Sequence, residues 1–347
     1  MRYNTGKDPP ELLAFARCPV KYVLCVGEML IDFIPAPVAS AQAEMYQPHP
    51  GGAPANVAVA LARLGGAARF IGKLSEDHFG RLLLRVLREN GVDTRLLPTT
   101  ARGCTTLALV ALQEDGQREF TFYRQGTADT LLEPDDLPEQ VWDEVVCCHA
   151  GSLLLASEPA RGATLAALRT ARHRGLLTSF DVNARPSLWS AEAELRGQLA
   201  RAIPQVDLLK CSAEEAHYLD DACQTPFDAR DSAGLSALAG RLLERGAALV
   251  VITRGPLGAL LVNRQQRVEV PAQPVRAIDT TGAGDAFMGA LLYRLIGRSC
   301  STPQDLSDLD AQELRSIATF ANRVAALSCT RYGGIASLPM LADIEES

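Results

Sequence analysis

The chain has 347 residues, of which 47% are hydrophobic, and a formal net charge of −7. This length suffices for one large domain or two smaller ones, with ample apolar material for a core. The acidic balance, without a long run of one sign, argues against nucleic acid as a main partner, and no run approaches the roughly 18 consecutive apolar residues that span a membrane.

The chain begins with a stretch that fits neither a secretory signal nor a regular element. Residues 1–21 combine acids, prolines and only a short apolar run, and we expect them to form an N-terminal extension before a domain at 22–340. Nine cysteines, an odd number without any CxxC pair, predict reduced and mostly buried thiols rather than a disulfide framework or a zinc site. These features predict a cytoplasmic protein.

Apolar runs that alternate with helical patterns make up most of the remaining chain. Short apolar runs predict buried strands at 22–27, 68–72, 145–151, 176–181, 206–211 and 248–253, and two further strands at 258–263 and 267–271. Helical patterns cover about 54–64, 159–173, 283–296 and 311–328, one helix ends near Gly246, and another runs to Asn90 with Ser75 as its N-cap. Repeated strand–helix units predict an α/β fold with a mostly parallel sheet and helices on both faces.

One segment departs from this alternation. TTLALVALQ and REFTFYR flank the turn-forming residues 114–117, a pattern that predicts a β-hairpin. The hairpin region, 103–126, and the segment at about 33–50 do not fit the strand–helix units. We therefore predict that they form a small β-sheet lid beside the main sheet.

The strongest local motif is DTTGAGD at 279–285, which stands directly before a well-patterned helix. Gly282, Ala283 and Gly284 would then lie at a helix N-terminus, where free N–H groups and the positive end of the helix dipole converge. Small side chains allow an oxyanion to approach the backbone, so this segment predicts an anion hole. Asp285, in the first turn, is placed to accept the proton of an attacking hydroxyl group.

Two commoner phosphate-binding motifs are absent from the sequence. Leu74 follows Gly72-Lys73, so no G-x-x-x-x-G-K-[ST] loop is present there. Phe287 occupies the position of the last glycine that would extend 282–284 to GxGxxG. The sequence therefore supports neither a P-loop NTPase nor a dinucleotide-dependent dehydrogenase.

Polar residues near the predicted strand ends indicate a second substrate site. Asp32 follows the first strand, and ligands of open α/β sheets bind beyond the carboxyl ends of the strands. A carboxylate accepts hydrogen bonds from sugar hydroxyl groups, Gly52 permits close backbone approach, and Asn56 offers both a donor and an acceptor. Arg124 ends the hairpin and Arg185 follows the strand at 176–181. Convergence of all five on one edge of the sheet predicts a sugar site.

Taken together, these segments resemble the PfkB (ribokinase-like) family of carbohydrate kinases over about 22–340. The resemblance rests on GGAPANVAVALARLG at 51–65 and DTTGAGDAFMGALL at 279–292. Within the family the chain is most similar to fructokinases, through GEMLIDFIP, REFTFYRQGTADTLL, SFDVNARPSLW and LLKCSAEE. The resemblance implies a ribokinase-like fold with a small β-sheet lid.

The resemblance also implies roles for individual residues. Asp285 would be the catalytic base beside the anion hole at 282–284, and the five polar residues named above would surround the sugar. Glu215 matches the acid that helps to place Mg²⁺ through water, with Ser212 where many members have Asn. The residues that match the nucleotide site are Thr253, Gly255, Gly258 and Asn322. Those that match a monovalent-cation site, for K⁺ in many members, are Asp279, Thr281 and Ser337.

The activity implied by the resemblance is ATP- and Mg²⁺-dependent phosphorylation of a small sugar, with fructose converted to fructose 6-phosphate. A 2-keto-3-deoxygluconate kinase is an alternative, in which Arg124 and Arg185 would bind the carboxylate, and a nucleoside kinase is another. A non-catalytic sugar-binding regulator is the alternative from a different class. Exposed apolar lid edges such as LALVAL predict a homodimer paired through the lid.

Overall fold

The computed structural model describes residues 20–36, 45–112, 118–220 and 225–345. Its strands are β1 Tyr22–Val26, β2 Leu30–Ala36, β3 Met45–Gly51, β4 Ala67–Ile71, β5 Leu74–Ser75, β6 Thr99–Thr100, β7 Leu107–Leu112, β8 Arg118–Tyr123, β9 Val145–Gly151, β10 Leu177–Asp181, β11 Leu208–Ser212, β12 Leu249–Thr253, β13 Ala259–Asn263 and β14 Arg267–Val270. Its helices are α1 Ala53–Arg63, α2 His78–Glu89, α3 Ala160–His173, α4 Glu192–Ala202, α5 Ser232–Glu244, α6 Ala283–Gly297, α7 Pro303–Asp308, α8 Ala311–Ser328, α9 Gly334–Ser337 and α10 Leu341–Glu345.

The main sheet has the order β14-β13-β12-β11-β10-β9-β1-β4. Strands β4 to β12 in this order are parallel, whereas β12–β13 and β13–β14 pair antiparallel. The mostly parallel sheet predicted from the strand–helix units is therefore confirmed. Because β9 to β12 run in sequential order and β1 lies next to β9, the carboxyl ends of these strands meet at one edge of the sheet.

Successive residues of the strands point to opposite faces of the sheet, and apolar cores lie on both faces. Val23 and Cys25 pack into the core that α1, α6 and α8 cover, whereas Leu24 and Val26 pack into a core beside α3. A further core on the α3 side contains side chains of α4 and α5. This alternation is the period of a strand that is buried on both faces.

A smaller sheet, with the order β3-β2-β7-β8, contains both predicted lid segments. The hairpin prediction is confirmed, since β7 and β8 pair antiparallel, while β2 pairs with β3 antiparallel and with β7 in parallel. The predicted turn at 114–117 and part of the 33–50 segment lie outside the described residues. That this sheet acts as a lid stays a prediction.

The predicted N-cap of α2 is wrong. Asp77, not Ser75, caps this helix, because its Oδ1 accepts a hydrogen bond of 2.7 Å from the N–H of Gly80. Ser75 belongs to β5, which pairs in parallel with β6. The Asp77 carboxylate also accepts a 2.7 Å hydrogen bond from the N–H of Thr105, a contact that fixes the cap through the tertiary structure.

The predicted burial of the cysteines is confirmed for most of the thiols that the structure describes. The free and buried cysteines are Cys25, Cys147, Cys148, Cys211 and Cys300, while Cys104 is exposed and Cys329 is half-buried. Burial raises the pKa of Cys148 to about 12, which keeps it protonated. Within the described ranges, no helix is long and apolar enough to cross a membrane. The cytoplasmic location stays a prediction, and most of the proposed extension at 1–21 lies outside the described residues.

Candidate functional site

The carboxyl ends of the parallel strands open into a cavity of about 800 Å³. The predicted site residues that line it are Asp32, Gly52, Asn56, Arg185, Glu215, Thr253, Gly255, Gly258, Thr281, Gly282, Ala283, Gly284, Asp285 and Asn322. Three predicted residues, Arg124, Asp279 and Ser337, are not among the residues that line the cavity. The structure therefore brings most of the predicted sugar, nucleotide and phosphate residues together in one place.

The anion-hole segment forms the beginning of α6, as its sequence predicts. Gly282 is the N-cap with φ of 78°, a left-handed conformation that favours glycine. The N–H of Ala283 donates to the Thr280 carbonyl at 3.2 Å. The next N–H groups, those of Gly284 and Asp285, have no acceptor within an α-helix by its geometry, and they belong to its positively polarised end. This end of α6 suits a phosphoryl group.

Asp285 lies in the first turn of α6 and is buried. The Asn56 side-chain amide, from α1, donates to its Oδ2 at 2.7 Å, and the Asn183 amide lies 3.5 Å from its Oδ1. Burial raises the pKa of Asp285 to about 6, an effect that the Asn56 hydrogen bond opposes and the Asp181 charge strengthens. Such a carboxylate is ionised at pH 7 but accepts a proton more readily than an exposed aspartate.

The contact between Asn56 and Asp285 depends on close packing of α1 against α6. A Cβ atom placed on Gly289 of α6 would lie 2.6 Å from the Ala60 Cβ and 3.0 Å from the Val57 carbonyl oxygen. No such approach occurs between real Cβ atoms, so only glycine fits at this position with the helices as they stand. The small residue thus fixes the distance between the two helices that carry the Asn56 and Asp285 side chains.

Glu215 lies at the end of β11, and backbone groups hold its carboxylate in place. Its Oε1 accepts a hydrogen bond of 2.6 Å from the N–H of Ala184, and its Oε2 accepts one of 2.9 Å from the N–H of Ser212. The carboxylate is therefore oriented at the cavity wall by two fixed donors, and each oxygen retains a further lone pair.

Four charged residues that line the cavity, Lys210, Asp181, Glu28 and Glu214, were not among the predicted site residues. Lys210, in β11, donates to the Asp181 carboxylate of β10 at 2.7 Å, and both residues line the cavity. Burial alone lowers the pKa of Lys210, but the charges of Asp181 and Glu215 outweigh this effect and raise it above its usual value. The lysine in an otherwise apolar strand, LLKC, was the available sequence signal.

Glu28 is another charged residue of the cavity that the predictions missed. It follows β1, lines the cavity, and accepts a hydrogen bond of 2.9 Å from the N–H of Ala53 at the beginning of α1. Burial raises the pKa of Glu28 to about 7. Its Oε2 atom is buried and has no hydrogen-bond partner among the described residues. In the sequence, the feature that could have revealed this site residue was a charged side chain between Gly27 and Met29, directly after the apolar strand.

Arg124 does not reach the cavity wall in this structure. Its Nε donates to Asp129 at 2.8 Å, and Thr127 donates to the other oxygen of the same carboxylate at 2.7 Å. Arg124 is buried, and its positive charge lowers the pKa of the nearby Glu28 against the larger effect of burial. Direct contact of Arg124 with a substrate stays a prediction.

The residues predicted to bind the nucleotide all line the cavity. Gly258 has φ of 94°, and a Cβ there would lie 2.0 Å from the Val270 carbonyl oxygen, so this turn requires glycine. Asn322 of α8 donates its amide to the carbonyls of Val270 and Pro271 at 3.2 and 3.0 Å. Asn322 thereby holds the end of β14 against α8 while it lines the cavity.

The predicted monovalent-cation residues join two loops beside the cavity. The Asp279 carboxylate accepts hydrogen bonds from the N–H groups of Thr281 and Gly333, at 2.7 and 3.0 Å. Ser337 donates to the Gly334 carbonyl at 2.9 Å. The loop before α6 and the loop before α9 are therefore held together, and K⁺ binding stays a prediction.

Comparisons with known proteins agree with this geometry. Residues 20–341 match the model of the pfkB family carbohydrate kinases. Fructokinase-1 of Oryza sativa subsp. japonica is 41% identical over 325 residues, which are 93% of this chain and 96% of the rice protein. Fructokinase-1 of Zea mays is 40% identical over 324 residues, with 93% of this chain and 96% of the maize protein covered.

Solved structures give the same result. The crystal structure of fructokinase from Xylella fastidiosa with bound ATP has a TM-score of 0.84 and 33% identity, and the match covers 94% of this chain and 97% of that one. Fructokinase from Vibrio cholerae O395, in its fructose-, ADP- and calcium-bound form, has a TM-score of 0.79 and 32% identity over 94% of this chain and 98% of that one. Because the family model spans nearly the whole described chain, this protein belongs to the pfkB family of carbohydrate kinases.

Proposed function

We propose that this protein transfers the γ-phosphoryl group of ATP to fructose and forms fructose 6-phosphate. The observation that carries the proposal is the buried Asp285 carboxylate, which lies at the N-terminus of α6 and accepts a 2.7 Å hydrogen bond from Asn56 in the cavity. The choice of fructose is supported by the plant relatives named fructokinase and by the Vibrio cholerae structure that contains fructose and ADP.

In the proposed mechanism the sugar binds near Asp32, Gly52 and Asn56, and ATP lies toward Thr253 and Gly258. Asp285 accepts the proton of the primary hydroxyl group as its oxygen attacks the γ-phosphorus. The N–H groups at the beginning of α6 stabilise negative charge on the transferring phosphoryl group. The sugar contacts place the hydroxyl oxygen in line, so most of the rate enhancement comes from positioning and electrostatics.

The residues of the cavity fit a divalent cation that is bound mainly by phosphate and water. In the described ranges, no three His, Cys, Asp or Glu side chains converge on a site that could hold a metal ion by themselves. Glu215 offers one oriented carboxylate, and Mg²⁺ commonly takes one or two carboxylates together with waters and phosphates. We therefore propose Mg²⁺ as this cation, which when bound neutralises charge on the ATP phosphates.

The test is a coupled ADP-release assay with MgATP and a panel of acceptors, namely fructose, glucose, ribose, 2-keto-3-deoxygluconate and adenosine. Each acceptor is measured with and without K⁺, and a reaction without acceptor measures ATP hydrolysis. Selective turnover of fructose is the expected result. Preference for the keto acid would make it the substrate in place of fructose. Arg124 and Arg185 would then be expected to bind its carboxylate. Absence of turnover with all acceptors would contradict the proposal.

The pH dependence of the reaction should report the titration of the Asp285 carboxylate. Only the ionised carboxylate accepts a proton, and its pKa is raised to about 6 mainly by burial. We expect kcat/KM for the sugar to fall as pH decreases through about 6, in a profile measured from about pH 5 to about pH 8. Asn56→Ala removes the hydrogen bond that lowers this pKa, so its inflection should move to higher pH. An unmoved inflection would show that another group titrates.

We propose in addition that two chains pair through the smaller sheet. Its outer strands, β3 and β8, carry Met45 and Tyr123 with 56% and 60% of their surfaces exposed. Edge strands with exposed apolar side chains tend to associate, and a two-fold pairing would cover both. Light scattering at micromolar concentration should give the mass of two chains, and Tyr123→Glu should shift it toward one. A monomeric wild-type protein would contradict the proposal.

A further inference from the structure

Lys210 is a buried cation at the floor of the cavity, directly beside the beginning of α6. Only 4% of its surface is exposed, yet it is one of the residues that line the cavity. A Cβ atom placed on Gly284 would lie 3.3 Å from the Lys210 Nζ, so the ammonium group stands next to the Gly284 backbone. The lysine from β11 and the helix N-terminus of α6 therefore direct positive charge at the same point in space.

The charges around the cavity make this cation unusual. The acidic residues that line the cavity are Glu28, Asp32, Asp181, Glu214, Glu215 and Asp285. Of the lysines and arginines in the described chain, only Lys210 and Arg185 line it, and Arg185 donates to the carbonyl of Ala184 at 3.0 Å. A polyphosphate that enters such a cavity meets mostly negative charge, so a fixed ammonium group where phosphate must lie has a large electrostatic effect.

Asp181 holds the ammonium group in place. Its Oδ2 accepts a hydrogen bond from Lys210 at 2.7 Å, while its buried Oδ1 has no hydrogen-bond partner among the described residues. An ammonium group has three donors, and Asp181 accepts from one of them. The other N–H bonds are geometrically able to point toward a phosphoryl oxygen that approaches Gly284.

From this arrangement we propose that Lys210 is a catalytic residue whose ammonium group binds the transferring phosphoryl group, and that Asp181 is its positioning residue. The inference rests on the proposed phosphoryl transfer but not on which sugar accepts the group. The lysine would stabilise charge that grows on the phosphoryl oxygens during transfer, together with the N–H groups of α6. The contrasting possibility is that Lys210 only neutralises the buried Asp181 carboxylate and the half-buried Glu215 carboxylate.

Removal of the whole ion pair separates these two roles. Lys210→Met alone leaves a buried carboxylate without its partner and can fail to fold. The double variant Lys210→Met/Asp181→Asn removes both charges, and we expect it to fold and to bind MgADP within a few-fold of wild type. Its kcat should nevertheless fall by about 100-fold or more. A kcat of the double variant within about tenfold of wild type would show that Lys210 has only a structural role, and would overturn the proposal.

A matched control exists at an ion pair outside the cavity. Lys73 forms a 2.6 Å ion pair with Asp136, and neither residue lines the cavity. Lys73→Met/Asp136→Asn removes a pair of the same kind, so it should leave kcat within a few-fold of wild type. A loss of kcat equal to that of the Lys210 pair would mean that both changes act through the fold, and would overturn the proposal.

Binding of a phosphoryl mimic tests the inference without turnover. MgADP with fluoroaluminate, which imitates the transferring group, should bind the wild-type protein at least about tenfold more tightly than MgADP alone. The Lys210→Met/Asp181→Asn protein should bind MgADP normally but lose this gain. If the gain persists, Lys210 does not bind the phosphoryl group. A wild-type protein that phosphorylates no sugar would overturn the proposed function, whereas this binding experiment would still decide the role of Lys210.

Discussion

Replacing Asp285 with asparagine is expected to lower kcat by about 1,000-fold or more while the affinity for MgATP changes little. Asparagine has the same shape and still accepts the hydrogen bond that Asn56 now donates to the carboxylate at 2.7 Å. It cannot accept the proton of the attacking hydroxyl group. Steady-state kinetics and calorimetric titration of nucleotide measure the two quantities on the same preparation.

The same variant should be more stable than the wild type near pH 7. The pKa of the Asp285 carboxyl group is raised from 3.8 to about 6 in the folded protein, mainly by burial. A raised carboxyl pKa favours the folded state below the unfolded pKa, and this contribution is lost as pH rises through about 6. Asparagine has no such loss, so its advantage in urea unfolding at pH 7 should shrink as the pH approaches about 4.

Glu313→Gln is the control. It tests whether the loss of an acid from the first turn of a helix lowers turnover merely through its effect on that helix. Glu313 lies in the first turn of α8, where it accepts a 3.0 Å hydrogen bond from the N–H of Asp310, and it is half-buried. We expect this variant to retain full turnover. Turnover of Asp285→Asn within about tenfold of wild type would mean that Asp285 also acts only on its helix, and the proposed mechanism would fail.

The second large effect is expected at Gly289, where α1 and α6 touch. Gly289→Ala places a Cβ 2.6 Å from the Ala60 Cβ, closer than real Cβ atoms approach, so the two helices must move apart. We expect a loss of about 2 kcal/mol of unfolding free energy. Because α1 carries Asn56 and α6 carries Asp285, kcat should also fall, by about tenfold. Urea unfolding and steady-state kinetics measure the two losses.

Gly297→Ala, at the end of the same helix, is the matched control. A Cβ there meets no atom within 4 Å, so the substitution creates no contact. Alanine favours helix over glycine by up to about 1 kcal/mol, and we therefore expect unchanged or slightly increased stability with normal turnover. Equal destabilisation by the two substitutions would contradict the contact with Ala60 as the cause of the Gly289 result, because Gly297→Ala creates no such contact.

The sequence predicts those parts of the site that depend on local chemistry. The glycines at 282 and 284 and the acid at 285 specify a helix N-terminus whatever packs around it, and the structure has α6 begin there. Strand β13 was predicted equally well as an element, but its antiparallel pairing was not, since both faces are buried and the apolar run resembles a parallel strand.

Residues that act through distant partners were harder to predict. Lys210 and Asp181 are 29 positions apart and meet only because β10 and β11 are neighbours. At α2, Ser75 and Asp77 are both able to cap a helix, and the contact of Asp77 with Thr105 decides between them. Tertiary contacts of this kind leave no local pattern in the sequence.

The direct passage from the smaller sheet into α1 has a consequence for the order of events in a catalytic cycle. Strand β3 ends at Gly51 and α1 begins at Ala53, so only Gly52 separates them. If the smaller sheet acts as the predicted lid and tilts over a bound sugar, so short a connection would transmit the tilt to α1 and change how Asn56 contacts Asp285. Occupation of the sugar site would then be linked mechanically to the basicity of the proton acceptor, and attack of water on ATP would be slow while the sugar is absent.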